Sequence, residues 1–417
     1  MNLSTDAIAI GSPLLAIATM LLALLVAQLL LPKAAGDGDA AGRFAAIDGI
    51  RGFLALAVFI HHATTWFGYL RNGDWMQPAS PLFKQFAIGA VMLFFMITAF
   101  LFTTKLLNAR GRPFDWTRLF VGRFMRLTPL YAFAMLCLLV VVFYQSGYAL
   151  HQPALALFLG IAIWAGFTVF GMPDLNGVAH TSFIISYVAW SLVYEWFFYC
   201  ALPLLALPLK VRVGWRPLLL AVVAAALFFV LHKFSLSIAL AFAIGAGCAG
   251  IVRTPALARL LAGRAGNVLV LLCVAGFQLL NPRVYSSLSL LMLAPIFACV
   301  ACGNSLFGLL SLRASRLLGD MAYSLYLLHG LLLFVVFNNV VGIDTMRSLS
   351  PFQHWLLILA CTPPLVLACH LSYRYIEQPG VAMTESVYRR VRRLRARLSG
   401  GGFQNLEQEG SSPPTQG

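Results

Sequence analysis

The feature that most constrains this chain is a series of apolar runs that repeats along almost its whole length. Most runs approach the ~20 residues that a helix needs to cross the hydrocarbon core of a bilayer, and polar residues gather between them. Hydrophobic residues make up 60% of the sequence and charged residues 10%, against roughly 25% charged residues in an ordinary soluble domain. The sequence therefore predicts an all-α, polytopic integral membrane helical bundle.

The apolar runs divide into one extra N-terminal helix and ten core transmembrane helices. The first run, Ile8–Leu31, has no Lys or Arg before it, so its N-terminus is expected to be extracytoplasmic. The core spans are predicted at Ile50–Tyr69, Phe83–Leu106, Leu127–Ser146, Ile184–Leu209, Leu218–Leu231, Ser235–Val252, Val268–Leu280, Ser286–Cys302, Tyr323–Val341 and Phe352–Tyr375.

One further apolar run, Ala154–Phe170, does not fit a simple crossing pattern. Counted as a full crossing, it would place the basic cluster Lys210–Arg216 on the same side as Arg71 and Arg283. Treated as a re-entrant or interfacial segment, it lets most Lys and Arg residues collect on one side, which is the pattern of cytoplasmic loops. We therefore predict a re-entrant segment and a cytoplasmic C-terminus.

The sequence predicts three parts in the chain. Residues 1–42 form the extra transmembrane helix and a linker, residues 43–380 the main transmembrane domain, and residues 381–417 a basic cytoplasmic helix and a disordered tail. The basic stretch Tyr388–Arg397 is expected to lie against anionic membrane lipid.

The net charge of +15 is explained by membrane orientation, because no soluble basic domain is present to bind nucleic acid. The eight cysteines lie within or at the ends of apolar runs, where Cys behaves as a small hydrophobe. Their spacing matches no metal site, so no metal is predicted.

The first core helix carries ionisable residues where lipid penalises them, which marks a candidate functional site. It contains the run Asp48-Gly-Ile-Arg51-Gly and, further along, His61-His62. Around a helix, Arg51 lies about 20° and Asp48 about 40° from His62, so these three share one face. His61 points about 100° away, toward a neighbouring helix or the lipid boundary.

His62 lies about 21 Å beyond Asp48 along the helix axis, past the bilayer midplane. A neutral imidazole is well suited to take a proton from a hydroxyl near neutral pH, so His62 is the candidate general base. The alternative is a buried histidine that is hydrogen-bonded for structural reasons.

A basic stretch without lysine precedes the third core span. Orientation bias alone explains Arg110 and Arg112. It explains Arg123 and Arg126 less well, because their i, i+3 spacing places two guanidinium groups on one helix face, a geometry suited to binding phosphates.

Three later segments also contain polar residues within apolar surroundings. The first contains Trp190, Glu195 and Tyr199; Trp190 is either an interfacial belt residue or part of a site, and a carboxylate within a span must be paired or protonated. The second places Tyr326 and His329 near the middle of a span. The third, Tyr373–Pro379, is expected to be a structural cap.

Taken together, these segments resemble the acyltransferase-3 family, bacterial inner-membrane enzymes that typically O-acetylate extracytoplasmic glycans with cytoplasmic acyl-CoA. The resemblance runs from Asp48 to Pro379 and includes a re-entrant segment after the third core helix. The extra N-terminal helix departs from the family pattern. The motifs, in chain order, are Asp-Gly-x-Arg-Gly…His, Arg-x-x-Arg-Leu-x-Pro-x-Tyr, Trp-Ser-Leu-x-x-Glu…Phe-Tyr, Tyr-Ser-Leu-Tyr-Leu-x-His and Ile-Glu-x-Pro.

The resemblance implies acyl-CoA, most simply acetyl-CoA, as co-substrate and a glycan or lipid-linked glycan as acceptor. Arg123 and Arg126, helped by Arg118, would hold the CoA phosphates. His62 would act as general base or carry the acyl group, and Glu195 would enter the bundle from the outer face and orient the acceptor.

Supporting roles are expected for five further residues of the same motifs. Asp48 and Arg51 would stabilise the helix mouth and the donor entrance. Trp190, Tyr199 and Tyr326 would support the site.

Other functions stay open at this point. An acyltransferase acting on a small metabolite would use the same donor site, and the role of His329 is undecided. A transporter of an anionic solute would also place arginines at a gate and a histidine within the membrane, but the chain shows no convincing internal repeat. A membrane pH sensor would use His62 but gives no reason for the paired arginines.

Overall fold

A computed structural model describes residues 10–31, 44–75, 78 and 80–398 of the chain. These residues form helices, turns and isolated bridges, without a β-strand. The predicted all-α class is confirmed for this part of the chain. The linker at residues 34–42 and the tail from residue 399 onward, about which predictions were made, lie outside the described residues.

Most predicted spans coincide with helices, and the bounds of several differ. The α-helices, in chain order, are α1 Pro13–Leu30, α2 Ala45–Asn72, α3 Pro81–Asn108, α4 Trp116–Gln145, α5 Ala154–Ala165, α6 Trp190–Ala206, α7 Trp215–Leu231, α8 Leu236–Ile251, α9 Pro255–Ala262, α10 Arg264–Leu280, α11 Ser287–Ala301, α12 Arg313–Asp320, α13 Ala322–Phe334, α14 Ile343–Ser348, α15 Pro351–Ser372, α16 Gln378–Ala382 and α17 Thr384–Leu398. Two π-helical segments, Val335–Val340 and Tyr373–Glu377, extend α13 and α15.

The helices show that the protein is a multi-pass membrane protein. In the described ranges, six helical segments are long and apolar enough to cross a bilayer, or seven if the bent pair α8–α9 is one span. Helices α6, α7, α10 and α11 are apolar but only 15–17 residues long. The count of ten core spans therefore stays a prediction.

The bundle has two ends of different charge. At one end, the backbone N–H of Gly111 donates to the Lys210 carbonyl, which joins the loops after α3 and α6. We call this end the basic side, because the predicted cytoplasmic loops meet there. We call the other end the opposite side. There, the Arg347 guanidinium donates to the Leu70 carbonyl and joins α14 to the end of α2.

Helix α2 is the most enclosed of the long helices, with 78% of its apolar window buried inside the protein. Two glycines allow α12 and the turn before it to approach closely. A Cβ at Gly52 would lie 2.5 Å from the Leu318 Cβ, and a Cβ at Gly49 would lie 2.0 Å from the Leu310 carbonyl oxygen. The Asp-Gly-x-Arg-Gly motif thus packs the start of α2 against the basic-side helix α12.

The segment between α4 and α6 begins and ends on the opposite side. Helix α5 has 12 residues, so it extends about 18 Å and is too short to cross alone. The irregular loop at 166–189 is held by side chains: Asn176 donates to the Ser146 hydroxyl at 2.8 Å, and Trp164 donates to the Pro173 carbonyl at 2.9 Å. This geometry agrees with the predicted re-entrant segment.

The same loop corrects the predicted span Ile184–Leu209. Ile184 lies in a short 3₁₀ helix, Thr181–Ile185, and Ser186 and Tyr187 both have positive φ. A left-handed backbone cannot continue an α-helix. Helix α6 therefore begins only at Trp190.

Helix α1 packs on α15 through small residues. Its buried face is formed by Ala16, Thr19, Ala23 and Ala27, and small side chains of this kind let membrane helices approach each other. The Trp355 indole donates to the Ile10 carbonyl at 3.0 Å, which places the start of α1 on the opposite side.

The C-terminal basic helix α17 contacts the protein through its first residues, and residues 389–397 are exposed. It begins at Thr384, and Tyr388 is buried with its hydroxyl hydrogen-bonded to the Asp115 carboxylate. Glu385 forms a 3.1 Å ion pair with Arg118 of α4. The helix therefore docks on the protein, and its contact with lipid stays a prediction.

Glu377, at the end of the last span, is buried and accepts a hydrogen bond from the Ser324 hydroxyl of α13. This contact is compatible with the structural role expected for the segment Tyr373–Pro379.

Gly52→Ala is expected to destabilise the fold, because the added methyl collides with Leu318. Overpacking of this kind costs about 1–3 kcal/mol. Gly68→Ala, in the same helix, is the matched control because nothing lies within 4 Å of its Cβ. Thermal unfolding of the purified protein in detergent measures both, and equal melting temperatures for the two variants would contradict the close contact between α2 and α12.

Candidate active site

A cavity of about 290 Å³ opens at the basic side between α2, α3, α4, α6 and α13. We call it the arginine cavity, because Arg51, Arg123 and Arg126 all line it. The Arg123 guanidinium lies over the rings of Phe102 and Tyr199, at 5.0 and 5.9 Å from their centroids. The i, i+3 pair predicted from the sequence therefore faces one cavity.

The two arginines of the pair are available for an anion. Among the described residues, no carboxylate lies within salt-bridge distance of Arg123 or Arg126. An arginine guanidinium presents donors that match the oxygens of a phosphate group. The arginine cavity can therefore bind a phosphorylated ligand.

A second cavity, of about 500 Å³, contains His62 and lies toward the opposite side. We call it the histidine cavity. Val91 and Tyr326 line both this cavity and the arginine cavity. The two cavities therefore adjoin at these side chains, with the arginines on one side of the junction and an imidazole on the other.

His62 and His329 are directly hydrogen-bonded, which fixes the proton positions. The His329 Nδ1 lies 2.8 Å from the Leu325 carbonyl oxygen, and a carbonyl oxygen only accepts, so this Nδ1 carries the proton. In a neutral ring the His329 Nε2 is then an acceptor, so the His62 Nδ1, at 2.9 Å, must donate to it. The remaining nitrogen, His62 Nε2, has a free lone pair and can act as a base.

The helical-face argument agrees with these positions. Asp48 and Arg51 line the arginine cavity and His62 the histidine cavity, along one stripe of α2. His61 also lines the histidine cavity, but its Nδ1 is bonded toward α3, where it lies 2.7 Å from the Phe83 carbonyl oxygen. Trp190 lines the histidine cavity, which favours the site interpretation over the interfacial belt.

The position expected for Glu195 beside the acceptor is wrong. Glu195 lines the arginine cavity, where it accepts hydrogen bonds from Thr98 at 3.2 Å and from Tyr199 at 3.3 Å. Helix α6 starts at the opposite side with Trp190, so Glu195 lies more than a turn farther toward the basic side. Helical spacing gives the position of Glu195 only along its own helix, so the sequence did not show that it lies across the junction from His62.

Arg118 lies outside the arginine cavity. It lines an adjoining basic-side cavity of about 330 Å³, which shares Phe102 and Arg123 with the arginine cavity, and its guanidinium forms an ion pair with Glu385 of α17. Any binding of a phosphate by Arg118 therefore competes with the Glu385 carboxylate.

Several residues of the site were missed by sequence reasoning. His180, Phe183, Ser186 and Tyr187, all from the re-entrant loop, line the histidine cavity. The sequence gives no periodic signal for them, because the loop has neither helical nor strand spacing. Asp320 of α12 was also missed; its carboxylate interacts electrostatically with Asp48 and Arg51 at the mouth of the arginine cavity.

The fold and the two adjoining cavities define a multi-pass helical membrane protein with a hydrogen-bonded histidine pair next to a cavity lined by three arginines. The model of the acyltransferase-3 family, described as an acyltransferase domain, matches residues 44–373. The chain belongs to this family and is a membrane acyltransferase. The matched region begins at the start of α2 and leaves α1 outside. No curated protein and no solved structure matches the chain.

His329→Leu is expected to lower the rate of acyl transfer, because His62 loses the acceptor that keeps its proton on Nδ1. We expect a loss of roughly 100-fold, the scale of a misplaced general base. His329→Gln should retain more activity, since a side-chain carbonyl can accept from the same nitrogen. Acyl turnover per folded protein measures both variants.

His354→Leu is the matched control for this experiment. His354 is equally buried and bonds the Ala63 carbonyl, but it lines neither cavity. It should lower thermal stability and leave the turnover of the folded protein unchanged. Full activity in His329→Leu would contradict the assigned role of the histidine pair.

Proposed function

We propose that the protein transfers an acyl group, most simply acetyl, from acyl-CoA to a hydroxyl of an extracytoplasmic or lipid-linked glycan. The observation that supports this proposal is the junction at Val91 and Tyr326 between the arginine and histidine cavities. A CoA thioester has phosphates at one end and its reactive carbonyl at the other, connected by a narrow arm. The two cavities have the same order, with the arginines at one end and the imidazole of His62 at the other.

In the proposed donor complex, Arg123 and Arg126 bind the CoA phosphates by charge-assisted hydrogen bonds. Arg51 adds positive charge to the same cavity, and its 3.8 Å pair with Asp48 fixes it at the mouth. Glu195, held by Thr98 and Tyr199, limits the net positive charge. Arg118 contributes only when Glu385 releases it.

The proposed reaction takes place at His62. Its Nε2 removes the proton of the acceptor hydroxyl while the hydroxyl oxygen attacks the thioester carbonyl carbon. The carbon–sulfur bond breaks, an ester forms, and the leaving thiolate takes the proton back from the imidazolium to give free CoA. His329 holds His62 in the tautomer with Nε2 unprotonated.

We further propose that the protein lies in the bacterial inner membrane with its basic side toward the cytoplasm, following the positive-inside rule. The start of α1 then lies outside and α17 inside. Acyl-CoA would enter from the cytoplasm, and the acceptor would reach His62 from the other side. Neither a metal nor nucleic acid has a role in this proposal.

The family assignment favours an enzyme over the transporter and the pH sensor considered from the sequence. The arginine pair supports the same choice, because a sensor needs no phosphate-binding groups. A small-metabolite acceptor would use the same donor site as a glycan acceptor. The two alternatives would therefore differ only in how the acceptor occupies the histidine cavity.

Arg123→Gln and Arg126→Gln are each expected to raise the KM for acetyl-CoA by roughly 10- to 100-fold, because a hydrogen bond to a charged group contributes about 1.5–3 kcal/mol. Arg110→Gln is the matched control: Arg110 is an exposed residue of the loop before α4 and lines neither cavity. Labelled acetyl transfer in liposomes measures the KM. Unchanged values in both cavity variants would contradict the donor site.

His62→Gln is expected to abolish measurable transfer and to leave acetyl-CoA binding unchanged, because the imidazole lies across the junction from the arginines. Loss of the general base lowers rates by about 10²–10⁴-fold. Equilibrium binding of acetyl-CoA and single-turnover transfer separate the two effects. Undiminished transfer by this variant would exclude His62 as the base.

A further inference from the structure

A third cavity, of about 300 Å³, lies at the opposite side next to the histidine cavity. We call it the aromatic cavity, because the rings of Trp66, Tyr69, Phe183 and Phe334 line it. The proposed mechanism gives it no role: the thioester and the attacked hydroxyl meet at His62, in the neighbouring cavity.

The aromatic and histidine cavities share a wall. His180 and Phe183 of the re-entrant loop line both. The Phe183 ring is stacked on Trp75 with their centroids 4.6 Å apart, and Trp75 in turn is stacked on His62 at 6.3 Å. The aromatic and histidine cavities are therefore neighbours, separated by one short row of rings.

Polar side chains also line the aromatic cavity. Gln145 comes from the end of α4, Asn338 from the π-helical segment after α13, and Arg347 from α14. The Asn338 amide donates one hydrogen bond to the Phe334 carbonyl at 2.9 Å, which leaves a second N–H and the amide oxygen able to bond a ligand. The lining thus combines flat apolar faces with separated amide groups.

Two polar groups in the walls of these cavities lack partners. Within the described part of the chain, the indole N–H of Trp66 and the hydroxyl of Ser186 are buried without a hydrogen bond. Trp66 lines the aromatic cavity and Ser186 the histidine cavity. Buried donors are normally paired; these two atoms are enclosed within the cavity walls, so a side chain would have to shift before either could bond a ligand.

We propose that the aromatic cavity binds a second sugar ring of the acceptor, next to the ring that is acylated at His62. Sugar rings present apolar C–H faces that stack on aromatic side chains and hydroxyls that bond amides, which is the chemistry of this lining. The acceptor is therefore an oligosaccharide of at least two rings, and a single sugar fills the site only in part. This inference rests on the proposed glycan acyltransferase function.

The test uses the full-length protein in nanodiscs with labelled acetyl-CoA. The acceptors are a partial hydrolysate of the envelope polysaccharide of the host, separated into a one-ring fraction and a fraction of two to four rings. The wild type is expected to acylate the longer fraction with a kcat/KM at least about tenfold higher, the scale of one or two hydrogen bonds.

Asn338→Leu is expected to reduce this preference to near unity by raising the KM of the longer fraction. Asn339→Leu is the matched control, because Asn339 is the next residue of the same segment, is exposed, and does not line the cavity. Gln145→Leu tests the same wall from α4, where the side chain is exposed and its replacement carries little risk for folding.

The outcomes separate the inference from the function on which it rests. Equal kcat/KM for both fractions in the wild type, or equal losses in Asn338→Leu and Asn339→Leu, would overturn the second-ring site and leave the acyltransferase function standing. His62-dependent acylation of neither fraction would overturn the glycan acceptor, and the second-ring site with it.

Discussion

The cost of ionisable side chains in lipid is the constraint on which this structure depends. Between Asp48 and His62, helix α2 carries an Asp, an Arg and two His residues, each of which lipid penalises by several kcal/mol. The bundle buries this helix more completely than any other long helix of the described part. Gly49 and Gly52 allow that enclosure, because α12 and its preceding turn approach the α2 backbone where a side chain would collide. The polar stripe of α2 is thereby turned away from lipid and toward the cavities.

The groups with different proposed roles lie in two different cavities beside this helix. The arginines and Glu195 lie on one side of Val91 and Tyr326, and His62 lies on the other. Tyr326 is fixed at this junction by hydrogen bonds between its hydroxyl and Ser191, at 2.7 Å, and the Val188 carbonyl, at 3.1 Å. Its position is therefore set by the first turns of α6, which follow the re-entrant loop. The loop that shapes the histidine cavity thus also fixes the junction.

Part of this arrangement could be predicted from the sequence because it depends on regular geometry. The stripe of Asp48, Arg51 and His62 follows from helical periodicity alone, and the shared face of Arg123 and Arg126 follows from their spacing. The class of fold followed from the apolar runs. The loop charges predict which side of the membrane each loop faces.

The remainder depends on irregular backbone, which has no period to detect. The predicted start of the span at Ile184 was wrong because left-handed residues at Ser186 and Tyr187 delay the start of α6 until Trp190. The bond between His62 and His329 joins helices far apart in sequence, so no local pattern indicates it. Asn338 enters the aromatic cavity from a π-helical segment that the apolar pattern does not distinguish from α-helix.

A structure of the protein with bound acetyl-CoA in a membrane-like disc tests the central claim most directly. The account predicts that the phosphates contact Arg123 and Arg126, that the pantetheine arm passes between Val91 and Tyr326, and that the thioester carbonyl carbon lies in the histidine cavity beside His62. A donor whose thioester remains in the arginine cavity, or whose phosphates bind on the same side of the junction as His62, would contradict it.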